Sequence, residues 1–304
     1  MAIAKRVALF LLTNFLVIMT LGIIMRVFGL GNYVGRFGID YTSLAVFCLV
    51  WGMGGSIISL LLSKFIAKRM MGVQVIDPKT SDPRLRALVE TIHGMAKVSG
   101  ISRAPEVGIY QSPEPNAFAT GPSKNNSLVA VSTGLLETMS ADEVEGVLGH
   151  EMAHISNGDM VTMTLLQGVV NAFVLFLARA LAYAISNALS RDRDGEGVSF
   201  MARFAIQIVL EIVFMILGSI VVAWFSRYRE YRADAGGARL AGRDKMVRAL
   251  EALQRMTSRI NPEVERQQAA MASFKISTRP HGSFMMLFAS HPPLSSRISA
   301  LQSI

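Results

Sequence analysis

Apolar residues dominate four stretches of this chain, at 7–25, 39–63, 160–186 and 204–225. Each is long enough to cross about 30 Å of hydrocarbon, which takes roughly 20 helical residues. Between the second and third stretches the pattern becomes that of a globular domain. Asp82-Pro83 predicts a helix start, with Pro at the first helical position. Leu85, Leu88, Val89, Ile92 and Ala96 then form a helical apolar stripe that Gly100 stops. His93 falls between stripe positions and reads as a surface or boundary residue, not a ligand. Three short β-like runs follow, PEVGIY at 105–110, NAFAT at 116–120 and SLVAVST at 127–133, parted by turn-forming Pro, Gly, Asn and Ser. Ser140-Ala-Asp-Glu143 is a capping box that opens another helix. Val144, Val147, Leu148 and Ile155 line its buried side, and Asn157-Gly158 ends it. The expected fold is a mainly α membrane protein with four hydrophobic helices and an α+β domain carrying a small β-sheet.

Composition supports the membrane reading. Of 304 residues, 51% are hydrophobic and 17% charged, with a mean hydropathy of +0.40; soluble domains average about 25% charged. The first stretch has a basic start, but no A-x-A-like cleavage site follows and Arg26 ends it, so it reads as an anchor, not a signal peptide. The net charge of +8 gathers at the ends of apolar stretches, at Lys5 and Arg6, at Lys64, Lys68 and Arg69, and at Arg227, Arg229 and Arg232. That is the distribution of membrane flanks, and it argues against nucleic acid as a partner. Lys and Arg are more numerous in 64–159 and after 226 than in the two connecting loops, which hold Arg26 and Arg36, and Arg191 and Arg193. The excess predicts that both termini and the globular part lie in the cytoplasm. The single cysteine, Cys48, lies in an apolar run and can form no intrachain disulfide. If 160–186 and 204–225 form a hairpin, Arg179 and Glu211 lie about 28 and 21 Å from a common membrane face by helix rise. Long side chains bridge that difference, which predicts an ion pair near the far surface.

The chemistry is concentrated in VEGVLGHEMAHISNGDM, 144–160. His150 and His154 are four apart, so they project from one helix face and can converge on one ion. Glu151 sits about 100° around the helix, beside anything bound there. This is the H-E-x-x-H arrangement of zinc hydrolases; two solvated surface histidines are the plain alternative. The motif follows acidic residues on a capped helix, which disfavours cleavage within the membrane. A third ligand is expected from SRYREYRADAGGARLAG, 226–242, where Glu230 and Asp234 are again four apart. Two intervening spans return the chain to the side it left, so Glu230 can meet the histidines. The alternative is a charged juxtamembrane helix with i,i+4 pairing, which would leave a two-histidine zinc site without another protein ligand.

Together with the two N-terminal spans, NAFATG, GHEMAHISNGD, EYRADAGGARLAG and SHPPLSSRI resemble the HtpX family. These are membrane-bound zinc metalloproteases of the gluzincin group, related to the CAAX prenyl protease type 1 enzymes. The resemblance implies one Zn2+ held by His150, His154 and Glu230, Glu151 as catalytic base, Asp234 as support, and a zincin-like catalytic domain. CAAX prenyl proteases have more spans and a much longer chain, so a prenylated substrate is not expected. The corresponding organisation is an anchor with two transmembrane helices at 1–63, a first catalytic part at 64–159, a hydrophobic hairpin at 160–225 and a second catalytic part at 226–304.

Three protein ligands leave a zinc position for water, and Glu151 can pass its proton to the leaving amine. Asp234, favoured by the resemblance, or Asp159, just beyond the motif helix, can accept the spare N–H of a ligand histidine. His291, stiffened by Pro292 and Pro293, is the candidate donor to the oxyanion, against a plain loop residue before a helix. Arg297 reads as a carboxylate binder or a surface arginine, and Tyr228 and Tyr231 as membrane-interface anchors or donors. An extended substrate is expected to pair with NAFAT or SLVAVST as an edge strand, with Asn116 in contact. The region 259–290 reads as a loop able to cover the site, and His281 within it has no partner at ligand spacing.

The expected activity is zinc-dependent endoproteolysis at the cytoplasmic face of the inner membrane, with the bilayer as a partner, and the resemblance implies misfolded or unassembled membrane proteins as substrates in a quality-control role. The alternative is a non-catalytic membrane zinc scaffold or sensor, against which stands Glu151, since structural zinc sites close with four ligands and need no base. A transporter has only Arg179 and Glu211 in its favour, without broken or repeated spans.

Overall fold

Residues 38–191, 198–257 and 289–303 are described in this computed structural model, with a few isolated positions before residue 38. The predicted span at 7–25, and nearly all of the predicted loop at 259–290 with His281, lie outside the described residues. In chain order the helices are α1 (Tyr41–Met70), α2 (Pro83–Val98), α3 (Thr133–Thr138), α4 (Ala141–Asn157), α5 (Asp159–Arg191), α6 (Phe200–Ala241), α7 (Arg243–Thr257) and α8 (Leu294–Gln302). The strands are β1 (Val34–Gly35), β2 (Gly38–Ile39), β3 (Gln74–Val75), β4 (Glu106–Tyr110), β5 (Ala117–Ser123) and β6 (Asn126–Ser132). The protein is mainly helical with a small mixed sheet, as its periodicity predicts. Among the described residues three helices, not four, are long and apolar enough to cross a membrane: α1, α5 and α6.

Cα packing separates two units. One comprises the described residues within Met1–Ser59 and Met163–Val222. Its helices approach through small residues, since a Cβ on Gly52 would lie 2.5 Å from the Ala172 nitrogen and one on Gly168 2.6 Å from Met53 Sδ. The predicted ion pair is present: Arg179 Nη1 donates to Glu211 Oε1 at 2.9 Å, and the guanidinium stands 5.3 Å from the Phe47 ring centre.

The other unit, Leu60–Thr162 with Ala223–Ile304, holds the sheet. Its strand order is β3-β4-β6-β5, with β4 and β6 parallel and the outer pairings antiparallel. SLVAVST is therefore an interior strand and unavailable for peptide addition, because both its edges are taken. NAFAT begins the edge strand β5. The α2 stripe behaves as expected: Leu88, Val89, Ile92 and Ala96 are buried, Leu85 packs at the margin, and Asp82 caps the N-terminus. His93 is half-buried, with Nε2 3.2 Å from the Pro105 carbonyl oxygen. Val129 and Val131 from β6, Leu148, Met152 and Ile155 from α4, and Ala249, Ala252 and Leu253 from α7 share one core with α2. Glycines on α4 and on the facing stretch of α6 let the helices around α4 approach at backbone distance. A Cβ on Gly146 would lie 2.5 Å from the Lys245 oxygen, and one on Gly237 2.8 Å from the His150 nitrogen.

Candidate metal centre

The helix α4 is fixed at both ends. Ser140 Oγ accepts from the Glu143 N–H while Glu143 reaches back to the Ser140 N–H at 2.8 Å, completing the predicted capping box. At the other end Gly158 takes the left-handed conformation, φ 71°, ψ 30°. The chain turns there and begins α5 at once, so Asp159 stands at a helix N-terminus, where a carboxylate is favoured. It is buried, and its Oδ2 lies 2.6 Å from His154 Nδ1. His150 is held by a different acid: its Nδ1 lies 2.9 Å from Asp234 Oδ1. Both carboxylates proposed from sequence thus engage histidines, one each.

With each Nδ1 facing a carboxylate, both Nε2 atoms point away from their supports. The two Nε2 atoms are 3.1 Å apart. Glu230, fully buried on α6, places Oε2 3.5 Å from His150 Nε2 and Oε1 3.4 Å from His154 Nε2. Neither Glu230 oxygen has a well-aligned hydrogen bond among the described residues. Two buried imidazole nitrogens and a buried carboxylate without a well-aligned hydrogen bond thus converge on one point, where a cation would satisfy all three at once. The spacing suits one: ligands about 2.0–2.1 Å from a tetrahedral zinc are about 3.3 Å from each other. The residues present fit a divalent metal, and His150, His154 and Glu230 are the one such cluster found among the described residues.

Arg297 departs from the surface reading. It is fully buried on α8, donating from Nε to Asp234 Oδ2 at 2.8 Å and from Nη2 to Asp234 Oδ1 at 2.6 Å. Its Nη1 is 3.4 Å from Glu230 Oε2. Burial opposes its charge, but Asp234 beside it more than compensates and holds the guanidinium firmly protonated. For the metal-free His150, burial likewise opposes protonation, yet hydrogen bonds to Asp234 and then Glu230 outweigh it and push the imidazole up to about 9. A sequence signal for Arg297 existed: Leu294, Arg297, Ile298 and Leu301 have the 3,4,7 spacing of a buried helix face.

Glu151 is buried at 5% exposure, yet makes no hydrogen bond or ion pair among the described residues. Its carboxylate stays uncommitted beside the histidines, as a proton carrier requires. His291 brings Nδ1 to 2.8 Å from Glu230 Oε2 without good hydrogen-bond alignment. Asn116 is buried just before β5, where its N–H donates to Ser132 Oγ and its amide Nδ2 to Tyr110 Oη, both at 2.9 Å. Burial pushes the Tyr110 phenol up to about 12, against the Asn116 bond, so it stays a neutral hydroxyl. Tyr110, the last residue of β4, was not singled out from sequence. Tyr228 and Tyr231 are exposed on α6.

Residues 82–304 match the family described as peptidase family M48. A "Protease HtpX homolog" from Bacillus licheniformis is 51% identical over 305 residues, covering 98% of this chain and 99% of that protein. A "Protease HtpX" from Thioalkalivibrio sulfidiphilus is 50% identical over 303 residues, covering 99% of each. The Shewanella oneidensis "Protease HtpX" is 50% identical over 301 residues, at 98% and 99%. Among solved structures, S. mikatae Ste24p superposes with a TM-score of 0.63 at 19% identity, a likeness of fold alone. That match covers 98% of this chain, which spans 64% of Ste24p. The buried His-His-Glu cluster with an adjacent free glutamate, the family match over 82–304 and the full-length relatives agree: the chain belongs to peptidase family M48, as an HtpX-type membrane metalloprotease.

Proposed function

We propose that the protein is a zinc-dependent endopeptidase that cleaves misfolded or unassembled membrane proteins at the cytoplasmic face of the inner membrane. The observation that carries the chemistry is the convergence of His150, His154 and Glu230 within 4.8 Å beside an unpaired, buried Glu151. Two imidazoles and one carboxylate are a ligand set suited to zinc, with room for water or substrate at a fourth position. Zinc, when bound, supplies Lewis-acid activation of the scissile carbonyl and of the attacking water.

The chain's own residues do the rest. Glu151 takes a proton from the water as it attacks and delivers it to the departing amine. Asp159 and Asp234 hold the two histidine rings in the tautomer that leaves Nε2 free. His291, positioned against Glu230, donates to the developing oxyanion. The edge strand β5 receives an extended peptide through main-chain hydrogen bonds, with Asn116 seating its first residue. Such pairing asks for unfolded backbone more than for sequence, which suits a quality-control substrate. Tethering the site to apolar spans raises the local concentration of substrates in the same membrane. The lysine and arginine excess at 64–159 and after 226 supports the cytoplasmic orientation.

The test compares the purified wild type with Glu151→Gln, each stripped by chelator and reloaded with zinc. Cleavage of an unfolded protein should fall about 10²–10⁴-fold in the variant, while both retain about one zinc per chain. If both bind zinc and neither cuts unfolded or membrane substrates, a zinc-binding scaffold is the better reading.

A further inference from the structure

A second polar site lies outside the metal centre, within the unit formed by the apolar helices. A cavity of about 210 Å³ is lined by Ile39, Arg179, Tyr183, Phe200, Arg203 and Phe204, with Ala182 and Gln207 completing it. Two cations in an otherwise apolar cavity demand a reason. Arg179 has one: its Nη1 bonds Glu211, which also accepts from Gln207 Nε2 at 3.0 Å. That makes Arg179 and Glu211 neutral as a pair. Arg203 has no ion pair among the described residues, and its guanidinium stands 5.8 Å from the Tyr183 ring centre. The Nε–H groups of both arginines are buried without an acceptor among the described residues. The lining is therefore one positive charge in excess and holds two unsatisfied donors, both aspects that an anion would correct.

The depth of these residues indicates which anion. Measured by helix rise from residue 160 along α5 and from residue 225 along α6, Arg179 and Arg203 lie about 28 and 33 Å away. The hydrocarbon core is about 30 Å thick, so both guanidiniums fall at its polar boundary, where lipid phosphates sit. Phe200, with 78% of its surface exposed, and Phe204, at 46%, offer apolar surface beside the charges. A phosphodiester with acyl chains attached matches both features at once.

We propose that this cavity binds the phosphate headgroup of an anionic membrane phospholipid, with Arg203 as the principal contact and the Arg179 Nε–H as the second donor. Full-length protein in nanodiscs, purified in parallel as wild type, Arg203→Gln and Arg203→Lys, would be presented with mixtures of phosphatidylglycerol and phosphatidylcholine, and the lipid retained would be counted by native mass spectrometry. The wild type should retain phosphatidylglycerol preferentially, R203Q should lose about fivefold of that preference for the missing charge, and R203K should keep most of it. Zinc content, unchanged across the three, separates this loss from misfolding. Inorganic phosphate should not displace the lipid, because it lacks the acyl chains that Phe200 and Phe204 face. Equal retention of both lipids by the wild type would overturn the proposal. Displacement by millimolar phosphate, or an undiminished preference in R203Q, would do so too.

Discussion

Replacing Arg297 by leucine tests how the metal centre is held together. The guanidinium is fully buried, makes two short hydrogen bonds to Asp234 and lies 3.4 Å from Glu230. Arg297→Leu removes the arginine that spans both carboxylates, which are 0% and 1% exposed at Glu230 and Asp234, and leaves Glu230 with Arg229 at 3.5 Å. Breaking a buried pair in this way costs about 3–5 kcal/mol, several times an exposed pair. In a unit of this size that corresponds to a fall of roughly 10 °C in Tm. The loss should depend on the metal, because a cation between the histidines and Glu230 partly replaces the missing charge. Thermal unfolding in detergent, with and without saturating zinc, should show the larger loss in the metal-free protein. Adding Asp234→Asn to R297L removes one stranded charge, so the double variant should recover about 2 kcal/mol relative to the sum of the singles. A strictly additive double variant, or R297L within about 1 kcal/mol of wild type, would refute the view that Arg297 is the counter-charge of this site.

Three other outcomes are expected. Asp159→Asn weakens the support of His154 and should lower zinc affinity about 10–100-fold in a chelator competition, and wild-type affinity would show that the 2.6 Å contact does not orient the ligand. Gly237→Ala places a Cβ 2.8 Å from the His150 nitrogen and 2.9 Å from Met246 Sδ, so α6 must withdraw from α4. About 1–3 kcal/mol of stability should go with it, together with bound zinc, whereas Gly94→Ala, with nothing within 4 Å, should be neutral or stabilising. The last concerns acid. Burial raises the Glu143 carboxyl, but hydrogen bonds from the Ser140 N–H and hydroxyl and the charge of Arg255 hold it below the usual range. A carboxyl with a depressed folded pKa contributes stability that is present above its unfolded value of about 4.3 and lost as pH falls through the folded one. Ser140→Ala should therefore cost about 1 kcal/mol at pH 7 and less near pH 3, and an equal cost at both would contradict the linkage.

What the sequence disclosed depended on how far a cause reached along the chain. The capping box at Ser140, the Gly158 stop and the Asp82 cap each involve residues within a few positions of each other, and all three are found where local rules place them. Periodicity likewise identified the faces of α2 and α4, because a helix decides its buried side by itself. The sheet was harder. Its three longer strands were visible as apolar runs, but two-residue strands such as β3 carry no periodicity. The order that makes SLVAVST interior is set by which strands pair, which no single run encodes. Residues 226–241 illustrate a third case. The sequence reading divided the chain at 225, yet α6 continues through the charges that follow without a break, so Glu230 and Asp234 ride on the helix that carries the apolar segment.

The support of the two histidines shows most clearly where local reading stops. Asp159 and Asp234 looked like rivals for one task because either could accept a histidine N–H. Two histidines have two Nδ1–H groups, however, and each must be held if both Nε2 atoms are to face one ion. The acid for His154 comes from five positions along, delivered by a left-handed glycine; the acid for His150 comes from 84 positions along, on another helix. The second is tied to a buried cation, since Arg297 spans Asp234 and Glu230, while Asp159 stands at the start of α5. Arg297 is thus a consequence of where the third ligand had to come from. Bringing a carboxylate ligand and its supporting acid in on one helix face concentrates negative charge there, and the apolar stripe of α8 gives up one position to balance it.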